Sequence, residues 1–153
     1  PRDVHALLRR AEIHLVRGEE AEATGDLYRV LGTTPHGPAA EHALTELGRM
    51  AMMRDDLPAA LGHYDHLVNL APENATAWCE RGIIRSFVHD DEKALADLEK
   101  AVELDPTLDK AYGTLAVVYF RQDRNQEGCH ALQQARDLGD HSVDELLLLR
   151  CDR

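Results

Sequence analysis

Two prolines 34 residues apart, Pro72 and Pro106 (106 minus 72), mark the feature that most constrains how this chain can fold. Between them, apolar and small residues recur at helical spacing in two stretches, which predicts two amphipathic helices. The segment 89–91 separates the stretches and predicts a turn. The same pattern recurs one period earlier, so the helical hairpin is a repeated unit. Its matching residues are Trp78, Gly82, Ala94, Leu98, Ala101 and Pro106 in one copy, and Leu44, Gly48, Ala60, Tyr64, Leu67 and Pro72 in the other.

This pattern resembles the tetratricopeptide repeat family, in which W-x2-L-G-x2-Y, A-x3-F and P recur on a period of about 34 residues. The resemblance implies an all-α fold, a right-handed superhelical solenoid of four helix-turn-helix repeats plus a C-terminal capping helix. Gly18 sets the register of the first repeat, on the expectation that it occupies the same turn as Asp55, His89 and Asp123. The repeats are predicted at 4–37, 41–74, 75–108 and 109–142 and the capping helix at 143–150, in one domain spanning 4–150.

The two ends of the chain carry further expectations. Ser142 and Glu145 form an S-x-x-E pattern, which predicts a capping box that opens the last helix. The segment 128–151 is similar to the last segment of some bacterial members of the family, so we expect a bacterial protein with a natural C-terminus. Because the chain starts at Pro1 rather than Met, we expect that its parent protein has residues upstream.

Two arginines occupy positions where the family has Leu and Tyr. Arg81 and Arg85 are expected either to cover apolar neighbours with their stems or to form an ion pair within the repeat. The candidate anions are Asp97, Glu99 and Glu103.

The formal net charge of −11 over 153 residues argues against a protein that binds nucleic acid or anionic membranes, since both require a basic surface. No apolar run reaches the roughly 20 residues of a transmembrane helix. We therefore expect a soluble protein, and the sequence does not decide between the cytoplasm and the periplasm.

The three cysteines lack C-x-x-C spacing, so no structural zinc site is expected. Cys129 and Cys151 lie on predicted neighbouring helices and are expected to be two small buried thiols. A disulfide between them is the alternative, and it requires Cα atoms within about 7 Å of each other.

Nothing in the sequence predicts catalysis. His63 and His66 lie three apart on a predicted helix, but a catalytic metal needs a third protein ligand. No G-x-x-x-x-G-K-[ST], G-x-G-x-x-G or G-x-S-x-G motif is present. We expect no enzyme activity, no metal and no cofactor.

At about 100° per residue, the first helix of each hairpin carries a second stripe beside its packed stripe. In the family that stripe lines the concave groove, so the resemblance implies a partner-binding groove. Its apolar members exceed what ordinary surfaces expose, and a core role for several of them is the alternative. Cationic side chains outnumber anionic ones in this groove, which favours a partner protein or peptide with apolar anchors and some acidic residues. The predicted groove residues are Leu8, Glu12, Leu15, Thr45, Arg49, Met52, Met53, Cys79, Ile83, Ser86, Phe87, Lys110, Val117, Phe120 and Arg121, with His42 on the same stripe.

Some members of the family clamp the C-terminal carboxylate of chaperone tails with Lys, Asn and Arg side chains. The corresponding positions of this chain lack that chemistry, so no affinity for such tails is expected. They hold Leu8, Glu12, Glu46, Thr76 and Glu80.

The leading expectation is a non-enzymatic adaptor that binds a segment of another protein in the groove. The alternative is a self-assembly module, because the first repeat has no capping helix before Val4 and its outer apolar edge could pack on a second copy. A third alternative, metal-dependent hydrolysis by surface histidines, lacks a third ligand.

Overall fold

The computed structural model describes residues 3–151, and within this range the chain is an all-α repeat solenoid, as its period predicted. None of the helices in this range has both the length and the apolar character needed to cross a bilayer. The helices are α1 (Val4–Val16), α2 (Glu20–Thr33), α3 (Pro38–Met53), α4 (Leu57–Leu70), α5 (Ala75–Phe87), α6 (Asp91–Leu104), α7 (Asp109–Arg121), α8 (Asn125–Asp137) and α9 (Asp144–Arg150), with a 3-10 turn at His141–Val143.

The chain divides after Pro72 into two compact units. The N-terminal unit contains the hairpins α1–α2 and α3–α4, and the C-terminal unit contains α5–α6, α7–α8 and α9. Each unit buries a cluster of aliphatic side chains between its helices, with Leu27 and Leu98 among the fully buried members. The expectation of a single domain over 4–150 stays a prediction.

The turn inside each hairpin uses the same backbone conformation. Gly18 has a φ of 73°, and Asp55, His89 and Asp123 have φ values of 58°, 58° and 59°. Positive φ is uncommon for residues with a side chain, although short polar residues tolerate it better than bulky ones. All four residues therefore occupy equivalent turns, so the turn position predicted for Gly18 is confirmed.

Helix α3 begins at Pro38, three residues before the predicted start of the second repeat at position 41. Proline is tolerated in the first turn because the N–H it lacks has no helical partner there. The two alanines that follow are good helix formers, and Ala40 is fully buried. Residues 38–40, which lie between the first two predicted repeats, thus extend α3 rather than lengthen a loop.

Three hairpins are closed by a glycine packed against a large side chain. A Cβ added to Gly48 would lie 2.7 Å from the Tyr64 ring, and one added to Gly82 would lie 2.7 Å from Leu98 Cγ. In α7–α8 the arrangement is inverted, since the glycine is on the second helix: a Cβ on Gly128 would lie 2.6 Å from the ring of Phe120. These contacts require the two helices of each hairpin to approach closely.

The capping box predicted from Ser142 and Glu145 does not form. Ser142 lies inside the 3-10 turn, and its hydroxyl and amide both donate to Asp140, at 2.5 and 3.0 Å. Asp140 is therefore the cap of this segment, and α9 begins at Asp144 without a side-chain cap.

Cys129 and Cys151 form a disulfide, which corrects the expectation of two free thiols. Their Cα atoms lie 5.6 Å apart because α9 packs against α8, where Leu147 and Val143 enter the core of the C-terminal unit. The third cysteine, Cys79, is free and buried.

Candidate partner-binding site

In the N-terminal unit, the predicted groove positions of α1 and α3 are neighbours. The Nε2 atom of His42 lies 3.6 Å from a carboxylate oxygen of Glu12, so the two helices present this stripe side by side. Leu8 and Leu15 are half-buried and pack against the core of the unit, whereas Met53 is 72% exposed. The apolar part of the stripe that faces water here is therefore centred on the end of α3.

Two polar groove positions of α3 are already engaged within the helix. The guanidinium of Arg49 donates to Glu46 at 2.6 and 3.2 Å and also contacts the sulfur of Met53 at 3.2 Å. The Thr45 hydroxyl donates to the carbonyl of Glu41 at 2.9 Å. Met52, the next groove residue, is half-buried. The positive charge of Arg49, which the sequence analysis counted among the groove cations, is thus balanced by the carboxylate of Glu46.

In the C-terminal unit, the groove positions of α5 and α7 are joined directly. Arg121 donates to the Ser86 hydroxyl at 2.8 Å and forms a bidentate ion pair with Asp91. Ser86 is 6% exposed and Cys79 is 3% exposed, so these two predicted groove side chains are covered. Burial also raises the pKa of the Cys79 thiol to about 12.

A pocket of about 360 Å³ lies at the end of this stripe. Val117, Phe120 and Arg121 of α7 form one wall, and Leu146 and Arg150 of α9 form the other. The Arg150 guanidinium carbon lies 5.3 Å from the centroid of the Phe120 ring, within the range of a cation–π interaction. The pocket can hold an apolar side chain beside a positive charge.

The apolar groove residues of α5 and α7 differ in how firmly they are held. Phe120 is fixed because its ring packs against Gly128, and Ile83 packs on the core of the unit. Val117 and Phe87 are 44% and 64% exposed. The exposed pair supplies apolar surface that a partner could cover, and Phe120 supplies a rigid base.

Two cations remain near this stripe without a carboxylate partner among residues 3–151. Lys110 and Arg150 are both exposed and enter no ion pair in that range. Sequence analysis identified Lys110 but missed Arg150 and Leu146, because it assigned α9 only a capping role. Their helical spacing of four residues was the available signal.

The histidines do not gather into a metal site. Burial lowers the pKa of His63, whose ring lies 6.1 Å from that of Tyr28. In the part of the chain that the structure describes, no three His, Cys, Asp or Glu side chains are placed to share a metal ion.

A cluster of charged side chains joins the two helices of the first hairpin. Arg10 donates twice to Asp26, at 2.5 and 2.6 Å, and Arg29 adds a third bond at 3.0 Å. His14 and Glu19 are paired at 2.5 Å beside them. These side chains form an ionic cluster between α1 and α2, whereas two apolar side chains of α1, Ile13 and Val16, are 51% and 90% exposed. Self-assembly through the first repeat stays a prediction.

No family model matches the chain. It is 25% identical over 100 residues to the small glutamine-rich tetratricopeptide repeat-containing protein 2 of Saccharomyces cerevisiae, a match that covers 65% of this chain and 29% of that protein. The curated relatives that it matches are much longer, and the matched part spans only 13% to 29% of their length.

Solved structures share the fold. The crystal structure of MamA superposes with a TM-score of 0.79 at 19% identity, covering 94% of this chain and 82% of that one. The TPR2B domain of yeast Sti1, in its complex with an Hsp70 peptide, superposes with a TM-score of 0.62 at 25% identity, covering 69% and 83%.

Proposed function

This chain belongs to the tetratricopeptide repeat family, and we propose that it is a non-enzymatic adaptor that binds a segment of a partner protein. The observation that carries the proposal is the pocket between α7 and α9, where exposed apolar surface meets Arg150, which enters no ion pair within residues 3–151. The matching domain of yeast Sti1 is in complex with an Hsp70 peptide, which supports peptide binding as the general role.

The partner segment that fits this pocket places an aliphatic or aromatic side chain on Phe120 and a carboxylate beside Arg150. Val117, which is 44% exposed, adds apolar surface to the same pocket. Charge complementarity of this kind favours specificity and encounter more than affinity, so the apolar anchor supplies most of the binding free energy.

The proposed partner differs from a chaperone tail. The positions where the family clamps a terminal carboxylate hold Leu8, Glu12, Glu46, Thr76 and Glu80. Glu46 is itself paired with Arg49, and Glu12 faces His42. These positions carry three glutamates and no cation, so none of them offers a positive charge to a terminal carboxylate.

A peptide array in which apolar and acidic positions are varied independently tests the proposal. We expect retention of peptides that combine both features and loss of retention in the Val117→Asp and Arg150→Glu variants. Val88→Asp is the matched control, because Val88 is also 44% exposed but does not line the pocket. Equal retention by Val117→Asp and Val88→Asp would refute the assignment of the site.

A further inference from the structure

A second pocket, of about 480 Å³, lies on the other side of α7. Val117 and Tyr119 are two residues apart, so they project roughly 200° apart around the helix. Val117 lines the pocket described above, whereas Tyr119 lines this second one together with Tyr112 and Leu115. Val102 of α6 forms its opposite wall. The two pockets are therefore separate sites on one helix.

The second pocket arises where the last hairpin departs from the hairpin before it. In α5–α6, Arg81 lies over the Trp78 ring, 4.8 Å from its centroid, and binds Asp97. One period later these three positions hold Leu115, Tyr112 and Ala131. The aromatic ring is retained, but the cation and its carboxylate are replaced by smaller apolar side chains.

A carboxylate nevertheless faces this pocket from α6. Glu99 accepts a hydrogen bond from the Tyr119 hydroxyl at 3.0 Å and forms no ion pair within residues 3–151. The other carboxylate at the mouth, Glu127, is balanced by Arg124 at 3.0 Å. Glu99 is thus the negative charge that a ligand would meet.

We propose that this pocket binds an arginine side chain of a partner protein, with the guanidinium beside Glu99 and the aliphatic stem against Tyr112 and Val102. The incoming arginine supplies the cation that Arg81 provides within the preceding hairpin. Aromatic rings and carboxylates together stabilise a guanidinium that leaves water, through cation–π and ion-pair contacts.

The ring of Tyr119 shows that this surface accepts a guanidinium. The carbon of the Arg124 guanidinium lies 4.4 Å from the centroid of that ring, with Glu127 as its counter-ion. The proposed ligand repeats this arrangement with Tyr112 as the ring and Glu99 as the counter-ion. An adaptor with this site holds a basic segment on one side of α7 and an apolar, acidic segment on the other.

The test is a titration followed by amide chemical shifts, with acetyl-Leu-Arg-Leu-amide as the probe and its citrulline counterpart as the uncharged control. Citrulline has nearly the same shape as arginine but no charge. We expect saturable shifts confined to the parts of α6, α7 and α8 that line the pocket, and binding at least about threefold weaker for the citrulline peptide.

Two variants and one control sharpen the test. Glu99→Gln removes the charge while leaving an acceptor for the Tyr119 hydroxyl, and Ala131→Leu fills the pocket. Both are expected to weaken binding of the arginine peptide. Glu103→Gln is the control, because Glu103 is on the same helix, is exposed and pairs with Lys100 away from the pocket.

Three results would overturn the proposal: no saturable shifts at the pocket, equal affinity for the two peptides, or equal weakening by Glu99→Gln and Glu103→Gln. A melting temperature measured for each variant identifies loss of folding. If Ala131→Leu does not fold, the comparison of the two glutamine variants decides the question.

Discussion

Arg81 and Asp97 are joined by two parallel hydrogen bonds of 2.8 and 2.7 Å, and both side chains are buried. Arg85 adds a third bond to the same carboxylate at 2.7 Å. The first hairpin has the same pair at the same repeat positions, where Arg10 binds Asp26. Both of these hairpins therefore fasten their two helices with a guanidinium–carboxylate pair.

Asp97→Ala is expected to destabilise the C-terminal unit by about 3 to 5 kcal/mol, because it removes the buried carboxylate that Arg81 and Arg85 both bind. The double variant Arg81→Leu/Asp97→Ala is expected to cost less. It reproduces the residues that α7–α8 carries at the same positions, Leu115 and Ala131. Urea unfolding gives the free energy of unfolding of both variants. A double variant less stable than Asp97→Ala alone would contradict the role assigned to the ion pair.

The stability of the N-terminal unit should depend on the protonation of Asp26. The hydrogen bonds from Arg10 lower the pKa of this buried carboxyl below its ordinary value of 3.8. The folded state therefore holds the proton less tightly than the unfolded state, so this contribution is complete above about pH 4 and is lost as the pH falls through the lowered pKa.

Asp26→Asn tests that dependence. We expect wild type to be clearly more stable than this variant near pH 7, and the difference to shrink as the pH falls below about 4. Urea unfolding at several pH values measures the difference, with Glu22→Gln as the control, because Glu22 is exposed and forms no hydrogen bond or ion pair within residues 3–151. A difference that stays constant with pH would contradict the role assigned to Asp26.

Two glycines of the N-terminal unit should respond oppositely to the same substitution. Gly48→Ala places a methyl group 2.7 Å from the Tyr64 ring and is expected to destabilise the unit by about 1 to 3 kcal/mol. Gly62→Ala adds its methyl group to open space inside α4 and is expected to stabilise the unit by about 0.5 to 1 kcal/mol. Thermal unfolding of the two variants gives the sign of each change.

Much of the fold was predictable because the 34-residue period repeats local information. Residues at equivalent positions of successive repeats identify the hairpins and the turn at Gly18. Each hairpin is also stabilised mainly by contacts between residues that are close in sequence. The pairing of Arg81 with an acid on the following helix could be predicted for the same reason, although Asp97 could not be chosen over Glu99 or Glu103.

Two features that the sequence did not predict, the disulfide and one wall of the pocket, depend on where α9 packs. The disulfide requires a distance between Cys129 and Cys151 that helical periodicity does not determine. The contribution of Leu146 and Arg150 to the pocket depends on the same packing. The pairing of Arg49 with Glu46 was missed for another reason, since two residues one helical turn apart can equally well point their charged ends into water.

The reactivity of the three cysteines distinguishes the disulfide from free thiols. In the folded protein at pH 8, we expect almost no alkylation, because Cys79 is buried and has a thiol pKa of about 12. Denaturant alone should expose Cys79, and denaturant with a reductant should expose all three cysteines. Mass spectrometry counts the added groups, and three additions without reductant would show that Cys129 and Cys151 are not bonded.

Reduction of the disulfide should loosen α9 and weaken the proposed partner site together. Helix α9 has only 7 residues, and a helix that short is not stable without tertiary contacts. The bond closes a loop of 22 residues, so its loss is expected to cost about 3 kcal/mol. Because Leu146 and Arg150 form one wall of the pocket, peptide retention should fall on addition of a reductant.

The Cys129→Ser/Cys151→Ser variant should already show the reduced behaviour and should not respond to the reductant. Unchanged stability and retention in wild type under reducing conditions would mean that packing of Leu147 and Val143 alone holds α9 in place.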